Sequence, residues 1–225
     1  MKRYAIVIKN NKISESAYRK LQSSTSQKVM VFDAITPDEV QEKLKMFDLK
    51  WNYPWNQPVL DMQSGLKKSP YQTRNRDARI ATALSHYVLW KMCITLDEPI
   101  VILEHDSYFI KEIDFDPSEA PFDIIGINNP IGATRLSRKF NNIVQASPDR
   151  FIRVPKIDDD TIPQGLAGNS AYIIKPAGAK KMIQLVKDYG LWPNDAIMCR
   201  QLVPKLGVTT RYYTKVQGTR STTTL

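Results

Sequence analysis

Three acid–base side chains follow directly on an apolar run in the stretch PIVILEHDSYF, residues 99–109. The run at residues 100–103 predicts a buried strand, and Glu104, His105 and Asp106 come at its end. Ligand sites in open α/β sheets lie beyond the carboxyl ends of the strands, where carboxylates suit a divalent cation that shares its oxygen ligands with phosphates. The other interpretation is a strand end whose carboxylates only cap a neighbouring helix.

A glycine-rich segment, QGLAGNSA at residues 164–171, offers a second candidate site. Gly165, Gly168, Asn169 and Ser170 suit a loop at which a substrate approaches the backbone closely, because glycine carries no Cβ. The other interpretation is an ordinary turn before a strand.

No competing motif of comparable strength occurs in the sequence. It has no GxGxxG after the first apolar run, no GxxxxGK[ST], no CxxC pair and no GxSxG. With only two histidines, His86 and His105, a histidine-rich zinc site is excluded unless carboxylates supply the remaining ligands.

The charge balance favours an anionic partner. The formal net charge is +9 and the pI is near 9.4, as suits binding to nucleic acid, to an anionic surface or to a phosphorylated small molecule. The alternative is that the charge serves only solubility.

The cellular compartment is predicted from the N-terminal sequence, from the length of the apolar runs and from the two cysteines. The apolar run in MKRYAIVIKN is too short for a secretory signal, and no run is long enough to span a bilayer. Cys93 and Cys199 fall in helix-like segments without metal-ligand spacing and indicate reduced core thiols. We therefore expect a cytoplasmic protein without stable membrane insertion.

The elements that must position these residues alternate along the chain. YAIVI and KVMVFDA predict strands, ISESAYRKLQSS and TPDEVQEKLKMF predict helices, and this order argues for a parallel sheet covered by helices. A long helix is predicted for DARIATALSHYVLWKMCITL, and a last strand for VTTRYYTKVQG. We expect one α/β domain over residues 1–225, with long functional loops at about 51–76 and 129–161.

Several of these motifs together resemble glycosyltransferase family 25. In that family a helix with an LSH…W pattern precedes an apolar strand that closes on an acidic triplet, as do ARIATALSHYVLWKMC and EPIVILEHDSYF here. GNSAYIIKPAGAKKMI and WPNDAIM are also similar to family segments, and YAIVIKN and VMVFDAITPDE match more loosely. The resemblance runs along most of the chain, and its specific motifs span roughly half of it.

The resemblance implies a GT-A type fold, a Rossmann-like α/β/α domain with a mostly parallel central sheet. It also implies a nucleotide-sugar donor, such as a UDP-sugar, with Mn²⁺ or Mg²⁺ on its diphosphate, and inverting transfer to a hydroxyl. Glu104 and Asp106 would then take the metal and donor sites, with Asp106 as the direct ligand. The chain departs from the family's commoner Glu-Asp-Asp at His105, which strand alternation predicts to point away.

The resemblance also assigns roles outside the triplet. Asp195 matches a late family aspartate and, with Asp106, is the candidate for catalysis: a base for the acceptor proton, a further metal contact, or only a helix-capping residue. The dipole of the helix that it begins is expected to stabilise its charged form. His86 matches the LSH motif, either as a structural side chain or as one that hydrogen-bonds the donor or the acidic edge. Asn169 and Ser170 are expected to bind the donor.

The acceptor is predicted from a more specific resemblance, to a subgroup of the family. KWNYPWNQPVLD and YYTKVQGTRSTTTL look like small phage-encoded members of the family, and some phage glycosyltransferases modify hydroxymethylated pyrimidines in DNA. Three basic clusters suit DNA phosphates: Lys67, Lys68, Arg74, Arg76 and Arg79; Arg135, Arg138 and Lys139; Arg211, Lys215 and Arg220. Trp51, Tyr53 and Trp55 suit stacking on an extruded base or a sugar ring, or closure of a small core under a loop.

DNA is therefore the expected acceptor, with a saccharide such as lipopolysaccharide as the alternative. Two hypotheses of other classes stay open. One is a metal-dependent phosphohydrolase or nuclease that uses Glu104, Asp106 and Asp195 and nicks plain DNA. The other is a non-catalytic DNA-binding module, whose function would survive Asp106→Asn.

Overall fold

The computed structural model describes residues 1–71 and 73–218. Its helices are α1 Lys12–Ser23, α2 Val40–Met46, α3 Arg76–Leu96, α4 Ser137–Gln145, α5 Pro176–Tyr189 and α6 Asn194–Ile197. Its strands are β1 Lys2–Val7, β2 Met30–Asp33, β3 Val59–Asp61, β4 Leu66–Lys68, β5 Ile100–Glu104, β6 Ser107–Phe109, β7 Ile124–Gly126, β8 Phe151–Arg153, β9 Ala171–Ile174, β10 Leu206–Thr209 and β11 Thr214–Val216. None of the helices in these two ranges is long and apolar enough to cross a membrane.

A mixed central sheet organises the described residues, with seven strands in the order β2-β1-β5-β9-β7-β10-β8. β1 pairs in parallel with both β2 and β5, and β7 pairs in parallel with β10. β9 is antiparallel to β5 and β7, and β8 is antiparallel to β10. All strands of this sheet except β8 and β9 therefore share one direction, which confirms the predicted α/β class with a mostly parallel sheet.

The reversed strand β9 decides which loop reaches the edge where β5 ends. In the register of this pair, Ala171 at the start of β9 lies opposite Leu103. Because β9 runs against its neighbours, its amino end lies where theirs end, and the loop that leads into it arrives at that edge. The Glu104 N–H donates to the Ser170 carbonyl at 2.8 Å and joins the two segments.

Side chains along β5 alternate between two cores, one on each face of the sheet. Ile100 and Ile102 belong to the larger core under α3 and α5, whereas Val101 and Leu103 belong to the core under α1. The Glu104 side chain lies on the same face of β5 as Ile100 and Ile102 and faces α3. The helices on both faces make the α/β/α arrangement that the resemblance implied.

The segments 51–76 and 129–161 hold more regular structure than the sequence predicted. β3 and β4 form a hairpin in the first, and the second contains α4 and β8, which extends the main sheet. Strands of three residues are too short to show a period, so the sequence pattern missed them. The prediction of one last strand is wrong, because β10 joins the main sheet and β11 pairs with β6.

Candidate active site

A cleft of about 540 Å³ opens at the edge of the sheet where β1, β2 and β5 end. Its walls come from these strand ends, the first turns of α3, the loop before β9 and the start of α6. The predicted catalytic, metal-site and donor-binding residues all lie on it: His86, Glu104, Asp106, Asn169, Ser170 and Asp195. The fold thus brings together side chains that are far apart in the sequence.

Glu104 and Asp106 lie on the cleft wall at the turn that follows β5. The Glu104 side chain is 37% exposed, and its Oε1 lies 3.7 Å from Nε2 of His86. The Gln217 N–H donates to the Asp106 backbone carbonyl at 2.8 Å and fixes the turn. Both carboxylates border the same ligand-sized space.

His105 also lines this cleft, and the expectation that it points away is wrong. β5 ends at Glu104, so strand alternation no longer applies one residue later. Burial lowers the pKa of His105, against the opposing effects of the Glu104 carboxylate and a hydrogen bond to the Ile6 backbone. The imidazole of His105 is therefore neutral at physiological pH.

His86 is fully buried on α3 and is held on one side by a hydrogen bond. Its Nδ1 lies 2.8 Å from the Tyr172 hydroxyl, which also accepts a hydrogen bond from Trp90 Nε1 at 2.9 Å. Its Nε2 is buried without a hydrogen-bond partner among the described residues and faces Glu104. Of the roles open from the sequence, the geometry favours contact with the acidic edge.

The loop before β9 presents buried polar groups that have no protein partner within the described ranges. These groups are the Asn169 side-chain amide and the Ser170 hydroxyl. A Cβ at Gly165 would stand 2.6 Å from the Met198 carbonyl oxygen, so only glycine lets the loop pack against the segment after α6. Because buried polar groups in proteins are rarely left unpaired, Asn169 and Ser170 are suited to meet a ligand.

Asp195 lies in α6, a helix of four residues. The Tyr71 hydroxyl is hydrogen-bonded to its carboxylate, yet Oδ1 is buried without a partner in the described part of the chain. Burial raises the pKa of Asp195, and the nearby Arg79 guanidinium opposes this shift without cancelling it. The net shift thus disfavours the charged form that the helix dipole was expected to stabilise, because burial outweighs the dipole of so short a helix.

Arg79 differs from the rest of its basic cluster because it lines the cleft. Its Cζ lies 4.7 Å from the centroid of the Tyr71 ring, and its charge acts on Asp195. We therefore assign Arg79 to the cleft rather than to an outer DNA-binding surface. Tyr71 was missed by the sequence analysis, whose only signal for it was the aromatic and cationic character of residues 51–76.

The assignment of Lys68 to a DNA-binding surface is wrong, because its side chain is buried. Its Nζ donates to the Asn52 carbonyl at 3.0 Å and lies 3.9 Å from Oδ2 of Asp61. Burial lowers the pKa of Lys68, with Asp61 opposing the shift. The other members of the cluster are exposed: Lys67, Arg74 and Arg76.

The aromatic residues of this segment pack on each other. Trp51 and Trp55 stack with ring centroids 5.0 Å apart and an interplanar angle of 11°. The Arg76 guanidinium carbon lies 5.4 Å from the Trp55 ring centroid, and Tyr53 is buried against Tyr71. Tyr53 is thus wrongly assigned to base stacking, and the aromatic residues pack against the larger core rather than closing a small one under their loop.

The members of the other two basic clusters that the structure describes are exposed: Arg135, Arg138, Lys139, Arg211 and Lys215. Arg220 lies outside the described residues. Arg76, Arg135 and Lys215 each lie directly beside a residue of the cleft wall in the sequence. The backbone of three exposed cations therefore adjoins residues of the cleft wall, although their side chains do not line it.

The side chains at the cleft suit a metal only in part. Among residues 1–71 and 73–218, no group of three or more His, Cys, Asp or Glu is placed to hold a metal ion. One or two carboxylates are enough for Mg²⁺ where substrate phosphates and waters supply the other oxygens. Glu104 and Asp106 therefore fit a cation that arrives with a diphosphate rather than a resident metal.

A second cavity, of about 520 Å³, shares the wall at residues 34–36 with the cleft. An aromatic ring, a carboxylate and two ammonium groups are among its lining side chains: Phe32, Asp33, Lys9 and Lys43. No motif in the sequence points to these residues. Lys9 follows β1, Phe32 and Asp33 end β2, and Lys43 lies in α2.

Comparison with known proteins gives the family of the chain. The family model described as glycosyltransferase family 25 (LPS biosynthesis protein) matches residues 1–198. A Haemophilus influenzae Rd protein provisionally named a glycosyltransferase is 26% identical over 162 residues, which cover 70% of this chain and 48% of that protein. The chain thus spans about half the length of this curated relative.

One solved structure is similar at a greater distance. The crystal structure of mouse xyloside xylosyltransferase 1 in its apo form aligns over 91% of this chain and 83% of that chain, with 12% identity and a TM-score of 0.39. That likeness is too distant to support an argument about fold or activity. The family match is different in kind, because it extends from β1 to α6 and includes His86, Glu104, Asp106, Asn169, Ser170 and Asp195. The chain therefore belongs to glycosyltransferase family 25.

Proposed function

We propose that the chain transfers a sugar from a nucleotide-sugar donor, such as a UDP-sugar, to a hydroxyl acceptor with inversion at the anomeric carbon. The observation that carries this proposal is a single cleft, in a family 25 chain, that combines the Glu104–Asp106 strand end with the buried carboxylate of Asp195. The acceptor oxygen forms a bond to the anomeric carbon as the bond to the donor diphosphate breaks. The proton of the acceptor hydroxyl must leave at the same time.

Asp195 is the proposed base that takes this proton. Its Oδ1 is buried on the cleft and has no partner among the described residues, so a substrate hydroxyl would satisfy it. Burial raises the pKa of Asp195, which makes the carboxylate a stronger proton acceptor than an exposed one. The Tyr71 hydroxyl holds the carboxyl group in position.

Glu104 and Asp106 are proposed to hold a divalent cation, Mn²⁺ or Mg²⁺, together with the donor diphosphate. When bound, such a cation would neutralise charge on the leaving diphosphate. The Asn169 amide and the Ser170 hydroxyl, which have no partner among the described residues, are the groups that would hydrogen-bond the donor. The second cavity offers the Phe32 ring and the Asp33 carboxylate for the base of the nucleotide.

The proposed acceptor is a hydroxymethylated pyrimidine of DNA, as in phage genomes. Support comes from the net charge of +9 and from exposed cations that are sequence neighbours of cleft-wall residues in three segments. With Lys68 buried and Arg79 assigned to the cleft, Lys67, Arg74 and Arg76 are the proposed acceptor-side residues of the first cluster. A saccharide acceptor is the second candidate, favoured by the family description as lipopolysaccharide biosynthesis proteins.

Transfer assays test the proposal directly. The chain is incubated with a panel of labelled nucleotide sugars and Mn²⁺, and with hydroxymethylated DNA, unmodified DNA or lipopolysaccharide core oligosaccharide. Label in hydroxymethylated DNA alone supports the full proposal, and label in the oligosaccharide alone would replace the acceptor. Absence of both transfer and donor hydrolysis with every donor would refute the activity.

The same assays separate the competing classes. Nicking of plain DNA without a donor would indicate a phosphohydrolase instead. Asp106→Asn is expected to bind DNA as the wild type does but to lose turnover. A DNA-binding module would show no turnover to lose, and its DNA binding would depend only on the exposed cations.

A further inference from the structure

Two buried hydrogen bonds lead from the core to His86, whose other ring nitrogen faces the acidic edge of the cleft. Trp90 Nε1 donates to the Tyr172 hydroxyl at 2.9 Å, and this hydroxyl lies 2.8 Å from Nδ1 of His86. Nε2 of the same imidazole lies 3.7 Å from Oε1 of Glu104. The Trp90, Tyr172 and His86 side chains have no exposed surface, so the two hydrogen bonds among them are shielded from bulk solvent.

The hydrogens of these two bonds can be assigned from their donors and acceptors. An indole N–H only donates, so Trp90 occupies a lone pair of the Tyr172 oxygen and leaves the phenol hydrogen to find an acceptor. Within the described residues, Nδ1 of His86 is the remaining partner of that hydroxyl. Burial raises the pKa of Tyr172, so the phenol keeps its proton. If Nδ1 carried the imidazole hydrogen instead, the phenol hydrogen would be buried without an acceptor.

We propose that Trp90 and Tyr172 fix His86 as the tautomer with hydrogen on Nε2, and that this N–H holds the Glu104 carboxylate at the cleft edge. His86 is then a positioning residue, which acts on the donor site through Glu104. Nε2 suits this role because it is buried and has no other partner in the described ranges. The effect on turnover depends on the proposed transferase activity, whereas the tautomer does not.

Nitrogen-15 NMR of the labelled chain measures the tautomer directly. The sequence contains two histidines, so one variant, His105→Gln, assigns both imidazoles. The expected result is a pyridine-like Nδ1 and a protonated, pyrrole-like Nε2 for His86 at neutral pH. A protonated Nδ1, or an equal mixture of the two tautomers, would overturn the proposal.

Tyr172→Phe tests the role of the phenol, with Tyr87→Phe as the matched control. Tyr87 is a buried tyrosine next to His86 on α3, and its change to Phe removes the same single oxygen. In Tyr172→Phe the single Nε2–H pattern should be lost, and the affinity for Mn²⁺ in the presence of UDP should fall by about 10–100-fold. Tyr87→Phe should keep both. If the nitrogen-15 spectrum of His86 is unchanged in Tyr172→Phe, or if both variants lose Mn²⁺ affinity equally, the proposed role of Tyr172 is refuted.

These outcomes are separable from failure of the proposed function. If the wild type turns over no donor, the transferase proposal fails while the His86 tautomer is still decided by NMR. If Tyr172→Phe does not fold, the wild-type spectrum alone confirms or overturns the assignment. If transfer occurs and Nδ1 carries the hydrogen, only the positioning role is lost.

Discussion

The Ser107 hydroxyl donates to the Ser170 carbonyl at 2.7 Å, in a buried contact that joins the chain after the acidic strand end to the loop before β9. Ser107→Ala should remove this bond and lower the stability by about 1 kcal/mol, or about 2–4 °C in Tm. The KM for the donor should rise, since Ser170 and Asn169 are less firmly held. Ser23→Ala, which removes an exposed hydroxyl bonded to the Lys20 carbonyl, is the control. Equal Tm values for both variants would contradict the prediction.

Asp195→Asn should separate activity from stability. Loss of the base should lower turnover by about 10²–10⁴-fold. At neutral pH the variant should nevertheless be more stable than the wild type, because a buried carboxylate whose pKa is raised costs free energy when it ionises. Circular dichroism melts and donor turnover measure the two effects.

The sign of this stability difference depends on pH. The folded state holds the Asp195 proton more tightly than the unfolded state, so the wild type loses stability as the pH rises from the ordinary aspartate value through the raised pKa. The advantage of Asp195→Asn should therefore be full above this window and vanish below it. An advantage that grows toward acid pH would contradict a raised pKa.

Arg79→Gln should move the acid limb of the pH–rate profile to higher pH. The Arg79 guanidinium lowers the pKa of Asp195, so its removal leaves burial unopposed and the base protonated over a wider range. Turnover should fall several-fold more in mildly acidic than in mildly alkaline buffer. Arg76→Gln, on an exposed side chain three residues earlier in α3, should leave the limb in place. An equal shift in both variants would indicate a general charge effect.

Mn²⁺ and UDP should bind cooperatively. Two carboxylates alone hold a cation weakly, and the diphosphate completes its oxygen shell. UDP should raise the affinity for Mn²⁺ by about 5–150-fold, and Mn²⁺ must raise the affinity for UDP by the same factor. Titration calorimetry in both orders measures this cycle. Strong Mn²⁺ binding without UDP would point to a resident metal, and Asp106→Asn should abolish the coupling.

Lys67 and Lys68 form a matched pair for the DNA surface, since one is exposed and its neighbour is buried. Lys67→Ala should weaken DNA binding and reduce the slope of log affinity against log salt by about 1. Lys68→Ala should leave that slope unchanged but cost about 1–3 kcal/mol of stability, because the Asn52 carbonyl and Asp61 lose their partner. Filter binding over a salt series and chemical denaturation measure the two. If Lys68→Ala reduced the salt slope and Lys67→Ala reduced the stability instead, Lys68 would be a DNA-binding residue after all.

The sequence could predict those parts of the site that follow from one strand and its end. Residues 100–103 are apolar without a break, so the strand and the acidic edge at Glu104 and Asp106 were evident from the pattern. The direction of β9 was not evident from the sequence, because an apolar strand followed by a helix has the same pattern whether it runs parallel or antiparallel to its neighbours. Only the pairing of Ala171 with Leu103 reveals that the loop before β9 reaches the site.

Burial of charge was the other property that the sequence could not supply. Lys67 and Lys68 have the same chemistry, and only the alternation of the short strand β4 separates them. Tyr71 and Arg79 reach Asp195 through tertiary packing across more than a hundred residues of chain. Such contacts leave no local period or spacing.

The single reversed strand at the centre of the sheet has a consequence for how this scaffold can diversify. β5 ends at the cleft edge and β9 begins there, so the two segments that border the cleft are separated by more than sixty residues of chain. Insertions or exchanges in the segment between β8 and β9 can reshape one wall while the end of β5 keeps its carboxylates in place. One half of the pocket can thus vary among homologous chains while the other half stays constant.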